Sequence, residues 1–277
     1  MTHARWLWVV LAIGIAGSAT SATGQPARKA PAKAAAKKPV VPTAAIAALG
    51  GVDPEAAAKA AEELGASDLA AAHDALLDAL ALGLPPAVAV PAINALVLKP
   101  APPDVLALRR YAGHVNPSVR SAAITALASY PSPVAQTAVA AGLRDPVGLV
   151  RNAAAKASGR ARIKVAIEPM LLLLAKGEEA SARGLAELAD ADLSRKIADQ
   201  LGKVPDPTLV IALGAMLKRA DFGPDAVKVE IVRAMGKIQD PSAVSALTDY
   251  IDATPKTPVR TSRQEAVLIV EARLGGK

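Results

Sequence analysis

A valine-arginine step, or a close variant of it, returns along this chain at Val119-Arg120, Val150-Arg151, Ala182-Arg183, Val227-Lys228 and Val259-Arg260. The basic members, Arg120, Arg151, Arg183, Lys228 and Arg260, are separated by 31, 32, 45 and 32 residues. Self-similarity at such a period marks stacked supersecondary units, each too small to bury its own apolar face and dependent on its neighbours for a core. Eight positions after the basic residue stands a small one in four units, Ala128, Gly159, Ala191 and Gly236, whereas the last unit has Leu268. A small residue there lets the chain fold back tightly. The 45-residue interval predicts one extra helix.

From about residue 44 onward, apolar segments alternate with short breaks at Pro, Gly or Asp. Asp53-Pro54, Asn116-Pro117, Asp145-Pro146, Asp206-Pro207 and Asp240-Pro241 place a side-chain acceptor directly before a proline. The acceptor can cap the first free N–H groups, and proline at the first helical position gives up no donor, so each pair is expected to start a helix. Gly65, Gly83, Gly113, Gly177 and Gly202 fall where left-handed end caps are useful. The expected helices are 54–64, 68–82, 86–98, 103–113, 117–129, 132–143, 147–159, 164–176, 179–189, 192–202, 207–219, 224–237, 241–253 and 262–274. No stretch alternates with period two over a strand's length, so no sheet is expected. The fold class is all-α, a right-handed α-solenoid of about seven antiparallel helix pairs. Its first pair (54–82) and its last helix (262–274) should close the two ends.

The chain is 52% hydrophobic yet only 2% aromatic, so the core must come from Ala, Leu, Val and Ile. Small side chains let helix axes approach closely. With no cysteine there is no disulfide, and stability rests on packing.

The net charge of +7 suggests nucleic acid until it is divided along the chain. Residues 1–42 carry Arg5, Arg28, Lys29, Lys33, Lys37 and Lys38 and no acid, which leaves +1 for residues 43–277. Residues 1–24 read as a bacterial export signal, with Arg5 as the positive start, 6–16 as the apolar stretch and small residues after it. Cleavage is expected after Ala22-Thr23-Gly24, with Ala19-Thr20-Ser21 as the alternative and an uncleaved inner-membrane anchor as a further one. The apolar stretch is well short of the roughly 20 residues that span a bilayer as a helix. A lipid-anchored product has no cysteine to form on, and the twin-arginine route has no Arg pair. Residues 25–42, rich in Ala, Lys and Pro, are expected to be an extended linker. Its Lys29, Lys33, Lys37 and Lys38 could contact an anionic envelope surface. The expected location is periplasmic or secreted.

Residues 226–247, AVKVEIVRAMGKIQDPSAVSAL, resemble the second helix of a HEAT repeat, its small-residue end and the Asp-Pro start of the next unit. Residues 166–172, AIEPMLL, resemble a first helix with its internal proline, and 89–95, AVPAINA, are a looser match. The resemblance covers roughly residues 50–275. It is good for 116–176 and 224–251, and poor for 66–85 and 190–221. It implies a non-catalytic scaffold that binds an unidentified protein or peptide. Two other readings remain open: a bilin-lyase-type enzyme, since some lyases for light-harvesting bilins are HEAT-like, and an envelope-tethered structural protein.

Catalytic chemistry finds few residues to work with. After the signal, only His73 and His114 remain, in different units, against the three or four ligands a zinc site needs. HEAT-like hydroxylases use His-Glu pairs, but here His73 precedes Asp74 and His114 precedes Val115. Ser67, His73 and Asp78 could form a triad on paper, yet no Gly-x-Ser-x-Gly elbow holds the serine. There is no phosphate-cradling glycine loop. HEAT-like DNA glycosylases need a basic face and aromatic rings, whereas Trp6 and Trp8 both lie in the signal and the domain is near neutral. The expectation is therefore no catalytic residue, cofactor, metal or nucleic acid. The basic column of Arg120, Arg151, Arg183, Lys228 and Arg260 is expected to form a ladder with acids such as Asp145 and Asp240, or else a stripe for an acidic partner peptide.

Overall fold

The computed structural model describes residues 41–275. The expected export signal, nearly all of the linker, and Lys29, Lys33, Lys37 and Lys38 lie outside the described residues.

Side chains cap the start of five of the described helices. Asp53, Asn116 and Asp240 accept the backbone N–H of Glu55, Ser118 and Ser242 at 3.0, 2.9 and 2.8 Å, each with proline at the next position. Each satisfies a donor that the helix itself leaves orphaned. Asp145 likewise accepts the Val147 N–H at 2.9 Å, although its helix begins only at Gly148, whereas Asp206 lies inside the first turn of its helix, behind Pro205. Among the glycines, Gly83, Gly177 and Gly202 take the left-handed conformation at φ of 99°, 81° and 77°. Gly65 and Gly113 do not: Gly65 is buried inside a helix, for a packing reason given below.

Among the described residues there are fifteen α-helices and no strand. All the expected segments are helical. An additional short helix, α1 (Thr43–Leu49), precedes them and buries Ala45 and Leu49. The segment expected at 164–176 divides into a 3-10 turn, Lys164–Ala166, and a helix beginning at Ile167.

The helices form two layers. In the first, α2 (Pro54–Ala66), α4 (Pro86–Leu96), α6 (Pro117–Leu127), α8 (Gly148–Arg160), α10 (Glu179–Leu188), α12 (Asp206–Lys218) and α14 (Pro241–Ala253) pack each on the next. In the second, α3 (Ala70–Leu82), α5 (Asp104–Tyr111) and α7 (Pro133–Gly142) follow one another, and α7 rests on the turn leading to α9 (Ile167–Ala175). There α11 (Ala191–Ala198) packs on α13 (Asp225–Lys237), and α13 on α15 (Thr261–Gly275). The 45-residue interval contains two helices, α11 and α12, where the other intervals contain one. That insertion has a consequence for the layers. The motif-bearing helices α6, α8 and α10 lie in the first layer, and α13 lies in the second.

Neighbours within a layer meet through small residues. A Cβ added at Gly65 of α2 would lie 2.6 Å from the Ala95 Cβ of α4. One at Gly184 of α10 would lie 2.5 Å from the Ala155 carbonyl oxygen of α8 and 3.1 Å from the Met170 sulfur. Backbone lies against backbone at such points, and no side chain can yield. Gly184→Ala sets a helix-propensity gain of about 1 kcal/mol against overpacking of about 1–3 kcal/mol. The overpacking should win because the clash is with a carbonyl, so urea denaturation of Gly184→Ala should show a net loss of stability.

Candidate functional site

Arg120 enters from α6 and reaches back to the loop before its own helix, where Nη1 donates to the carbonyls of His114 and Val115 at 2.9 and 3.0 Å. Its Nε and Nη2 donate to the two oxygens of Asp145 at 2.7 and 2.9 Å. One turn of the period later, Arg151 on α8 repeats the arrangement. Its Nη1 donates to the carbonyls of Asp145 and Pro146 at 2.9 and 3.0 Å, and its Nε to Glu178 at 2.8 Å. Each guanidinium thus ties its own entry loop to the acid of the next. Asp145 is the shared joint, taking Arg120 on its carboxylate and Arg151 on its carbonyl. The Arg120 hydrogen bond holds the Asp145 carboxyl below its usual range, against the opposing effect of burial, with help from the Val147 N–H. Both arginines are held charged more firmly than usual, Arg120 by Asp145 and Arg151 by Glu178.

The remaining members of the basic column do not join these two. Arg183 is exposed and reaches only Glu179 on its own helix, at 3.1 Å. The loop before α12, the counterpart of those that hold Asp145 and Glu178, leads into a helix whose acid, Asp206, lies inside the first turn. Lys228 is buried, and its Nζ donates to the carbonyls of Leu217 and Arg219 at 3.4 and 3.0 Å, closing the end of α12. Burial pushes its ammonium down, and nearby Arg260 acts in the same direction. Arg260 itself is exposed just ahead of α15. Asp240, expected as a ladder acid, accepts from Ser242 instead. The physical reason is the inserted helix: once α13 and α15 lie in the opposite layer, their basic residues no longer face the loops that α6 and α8 face.

A second polar cluster has no counterpart in the sequence reading. Asp104, at the start of α5, is fully buried. Its Oδ1 meets His73 Nε2 at 2.7 Å, and its Oδ2 accepts the Tyr130 hydroxyl at 2.7 Å and the Ala101 N–H at 2.8 Å. Burial first, and then the Asp104 carboxylate, push the Tyr130 hydroxyl far up, so it stays a donor at any physiological pH. The hub joins α3, α5 and the turn after α6. The paper triad does not assemble: Ser67 accepts the Leu69 N–H of its own turn, and His73 turns to Asp104 rather than Asp78. The signal was present in the numbers, since His73 and Asp104 are 31 residues apart, one repeat period. His114 is placed elsewhere, stacked on Tyr111 with ring centroids 6.0 Å apart. Among the described residues, no group of three or more His, Cys, Asp or Glu side chains could hold a metal.

Beside the hub runs an open furrow between α5 and α7. One end, of about 530 Å³, is walled by Pro100, Pro102, Leu106, Tyr130, Pro131 and Val134, with Arg109 as the one charged side chain. It continues past Arg109 and Val134 into a second hollow of about 600 Å³ that runs to Asp145. Leu106 is 75% exposed and Val134 49%.

Two layers of stacked helix pairs with arginine-tied loops define an α-solenoid. The HEAT-repeat family model matches residues 73–159 and 167–267, and the chain belongs to the HEAT-repeat proteins. The match includes 190–221, where the motif is hard to see by eye. No curated protein matches the sequence. Among solved structures, the chain is similar to the complex of CpcE and CpcF of phycocyanin lyase from Nostoc sp. PCC7120. That likeness has 20% identity over 89% of this chain and 98% of that one, with a TM-score of 0.45. It is also similar to Kap121p, at 16% identity and a TM-score of 0.49, over 81% of this chain and 28% of that one. An engineered protein is similar at 19% identity and a TM-score of 0.34. At these identities the likeness is one of fold.

Asp104→Ala should cost about 3 kcal/mol, because it strands the buried Tyr130 hydroxyl and takes the partner from the half-buried His73 ring and Ala101 N–H. Tyr130→Phe should cost about 1 kcal/mol, because it removes one donor and leaves the carboxylate two others. Urea midpoints at constant slope would check both. For Asp145 the sign follows from its depressed carboxyl. Its stabilising effect is complete above the ordinary carboxylate value of 3.8 and is lost as pH falls through the folded value. Asp145→Asn should therefore melt below the wild type at neutral pH, and the two melting curves should converge as pH drops below 3.8.

Proposed function

We propose that this chain is an exported, non-catalytic HEAT-repeat scaffold of the bacterial cell envelope that holds a protein partner by reversible binding. The furrow between α5 and α7 carries the reading. It leaves Leu106 and Val134 in solvent between proline walls, and apolar surface gathered in an open groove is what a partner segment covers. The occupant it fits is a peptide segment with an apolar side chain for the proline and tyrosine walls and an acidic one for Arg109. Arg109 takes part in no ion pair among the described residues, and it is the one charge at the apolar end. Export is supported by the pattern of residues 1–24, and the linker that follows would set the domain off from the membrane.

Photo-crosslinking in the native envelope tests the proposal. A crosslinker at Leu106 should trap one stoichiometric protein through an acid-bearing segment. The same group at Gln264 on α15 should not, and Arg109→Glu should abolish the adduct while the fold persists. A pigment adduct would replace this reading with the bilin-lyase one, cell-wall material would replace it with the tether, and equal trapping from Leu106 and Gln264 would overturn it.

A further inference from the structure

A second groove lies in the other layer, between α6 and α8, with a volume of about 560 Å³. Its floor is alanine, Ala128, Ala153, Ala157 and Ala161, so a chain laid in it can come close to the helices. Ser121 and Thr125 of α6, with Ser129 just after it, line one side, and Asn152, Lys156 and Arg160 of α8 line the other. Lys156 and Arg160 are four residues apart on α8 and so project from one face of it, their Cβ atoms roughly 6 Å apart.

The charge in this groove is of one sign. None of the residues lining it is acidic. Among the described residues, neither Lys156 nor Arg160 takes part in an ion pair, whereas Arg120, Arg151, Arg162, Arg195, Arg219 and Arg233 each have a carboxylate partner. Arg160 sits in the last turn of α8, where the helix dipole favours a cation, but Lys156 does not, so the dipole accounts for only one of the two.

We infer that this groove binds an acidic peptide segment, independently of the apolar furrow, so that either site can fail without the other. Two unengaged cations call for carboxylates. The hydroxyls and the amide offer both donors and acceptors, which suits a peptide backbone, whereas a free anion needs donors alone. The groove is also far larger than a single carboxylate or phosphate. Nucleic acid fits poorly because no aromatic ring lines the groove for a base to stack on.

The test uses the full chain with Arg28, Lys29, Lys33, Lys37 and Lys38 changed to serine, because those five would attract an anion themselves. A short fluorescent poly-glutamate peptide is titrated by anisotropy at fixed salt. Lys156→Ala with Arg160→Ala should weaken binding by about tenfold or more. Asn152→Ala, which changes no charge, should weaken it measurably. Lys203→Ala with Lys237→Ala, equal in charge but distant in sequence and structure, should leave it alone, and all variants should melt like their parent. The inference is overturned if the Lys156 and Arg160 pair can be removed without loss, if the distant pair matters equally, or if an oligothymidylate of matched charge binds as tightly as the peptide.

Discussion

Every other feature of this molecule depends on how closely the helices of one layer approach each other. At Gly159 an added methyl would meet the Gly184 Cα at 2.8 Å, and at Gly236 it would meet the Ile269 side chain at 2.9 Å. These contacts run between successive pairs rather than within one, so no pair holds itself together. Small side chains bury little apolar area each, at about 25 cal/mol per Å². A core of alanine, leucine and valine therefore has to be long before it is stable, and repetition is how this chain makes it long. Two large polar side chains that go inside are engaged by hydrogen bonds: the Tyr111 hydroxyl donates to the Leu80 carbonyl at 2.9 Å, and that of Tyr250 pairs with Ser262 at 2.6 Å.

The insertion of α11 and α12 divides the stack into two halves that solve the same problem differently. Before it, Arg120 and Arg151 tie loop to loop with four hydrogen bonds to carbonyls, Arg120 forking onto both oxygens of Asp145 and Arg151 meeting one oxygen of Glu178. After it, the helices are joined by exposed pairs, Arg195 with Glu230, Arg233 with Glu265 and Lys218 with Asp249. Such exposed pairs are individually weak. What holds the second half is a buried joint. Asp225 of α13 accepts both the Ser262 hydroxyl and the Ser262 N–H of α15, and Ser262 in turn meets Tyr250 of α14. Burial works against ionising Asp225, and the donors from Ser262 and its neighbour Thr261 more than offset it. Three helices meet at one serine, and Arg273 adds a hydrogen bond from α15 to the Gly236 carbonyl of α13 at 2.7 Å.

Much of this was legible in the chain because the relevant forces are local or periodic. Helices announce themselves through apolar spacing and Asp-Pro or Asn-Pro starts, and the long interval between Arg183 and Lys228 announced its extra helix. The misreadings have a common cause. Gly65 looks like a cap in one dimension and is a contact in three, because Ala95 is on another helix. Lys228 has the right spacing for the ladder, but spacing cannot say which layer a helix occupies once the count of helices between units changes. The short α1 escaped notice because only its docking on α2 makes so short a segment worth ordering. The Asp104 hub joins residues 31 and 26 positions apart, and no local pattern marks such a pairing. A search for polar side chains one repeat length apart would have found His73 with Asp104, at a separation of 31.

The two grooves also show why whole-chain charge misleads for a protein of this kind. A sequence pI of about 9.7 describes residues that sit mainly in the N-terminal segment. At physiological salt a charge is felt over about 8 Å, so a ligand in the α6/α8 groove responds to Lys156 and Arg160 and hardly at all to the total. Within the solenoid most arginines on the loops and helix faces are spent on neighbours, which keeps the domain near neutral while fastening it. Lys156 and Arg160 are left unspent beside a row of alanines. A solenoid whose architecture consumes its ion pairs shows its binding chemistry in the places where a pair is missing.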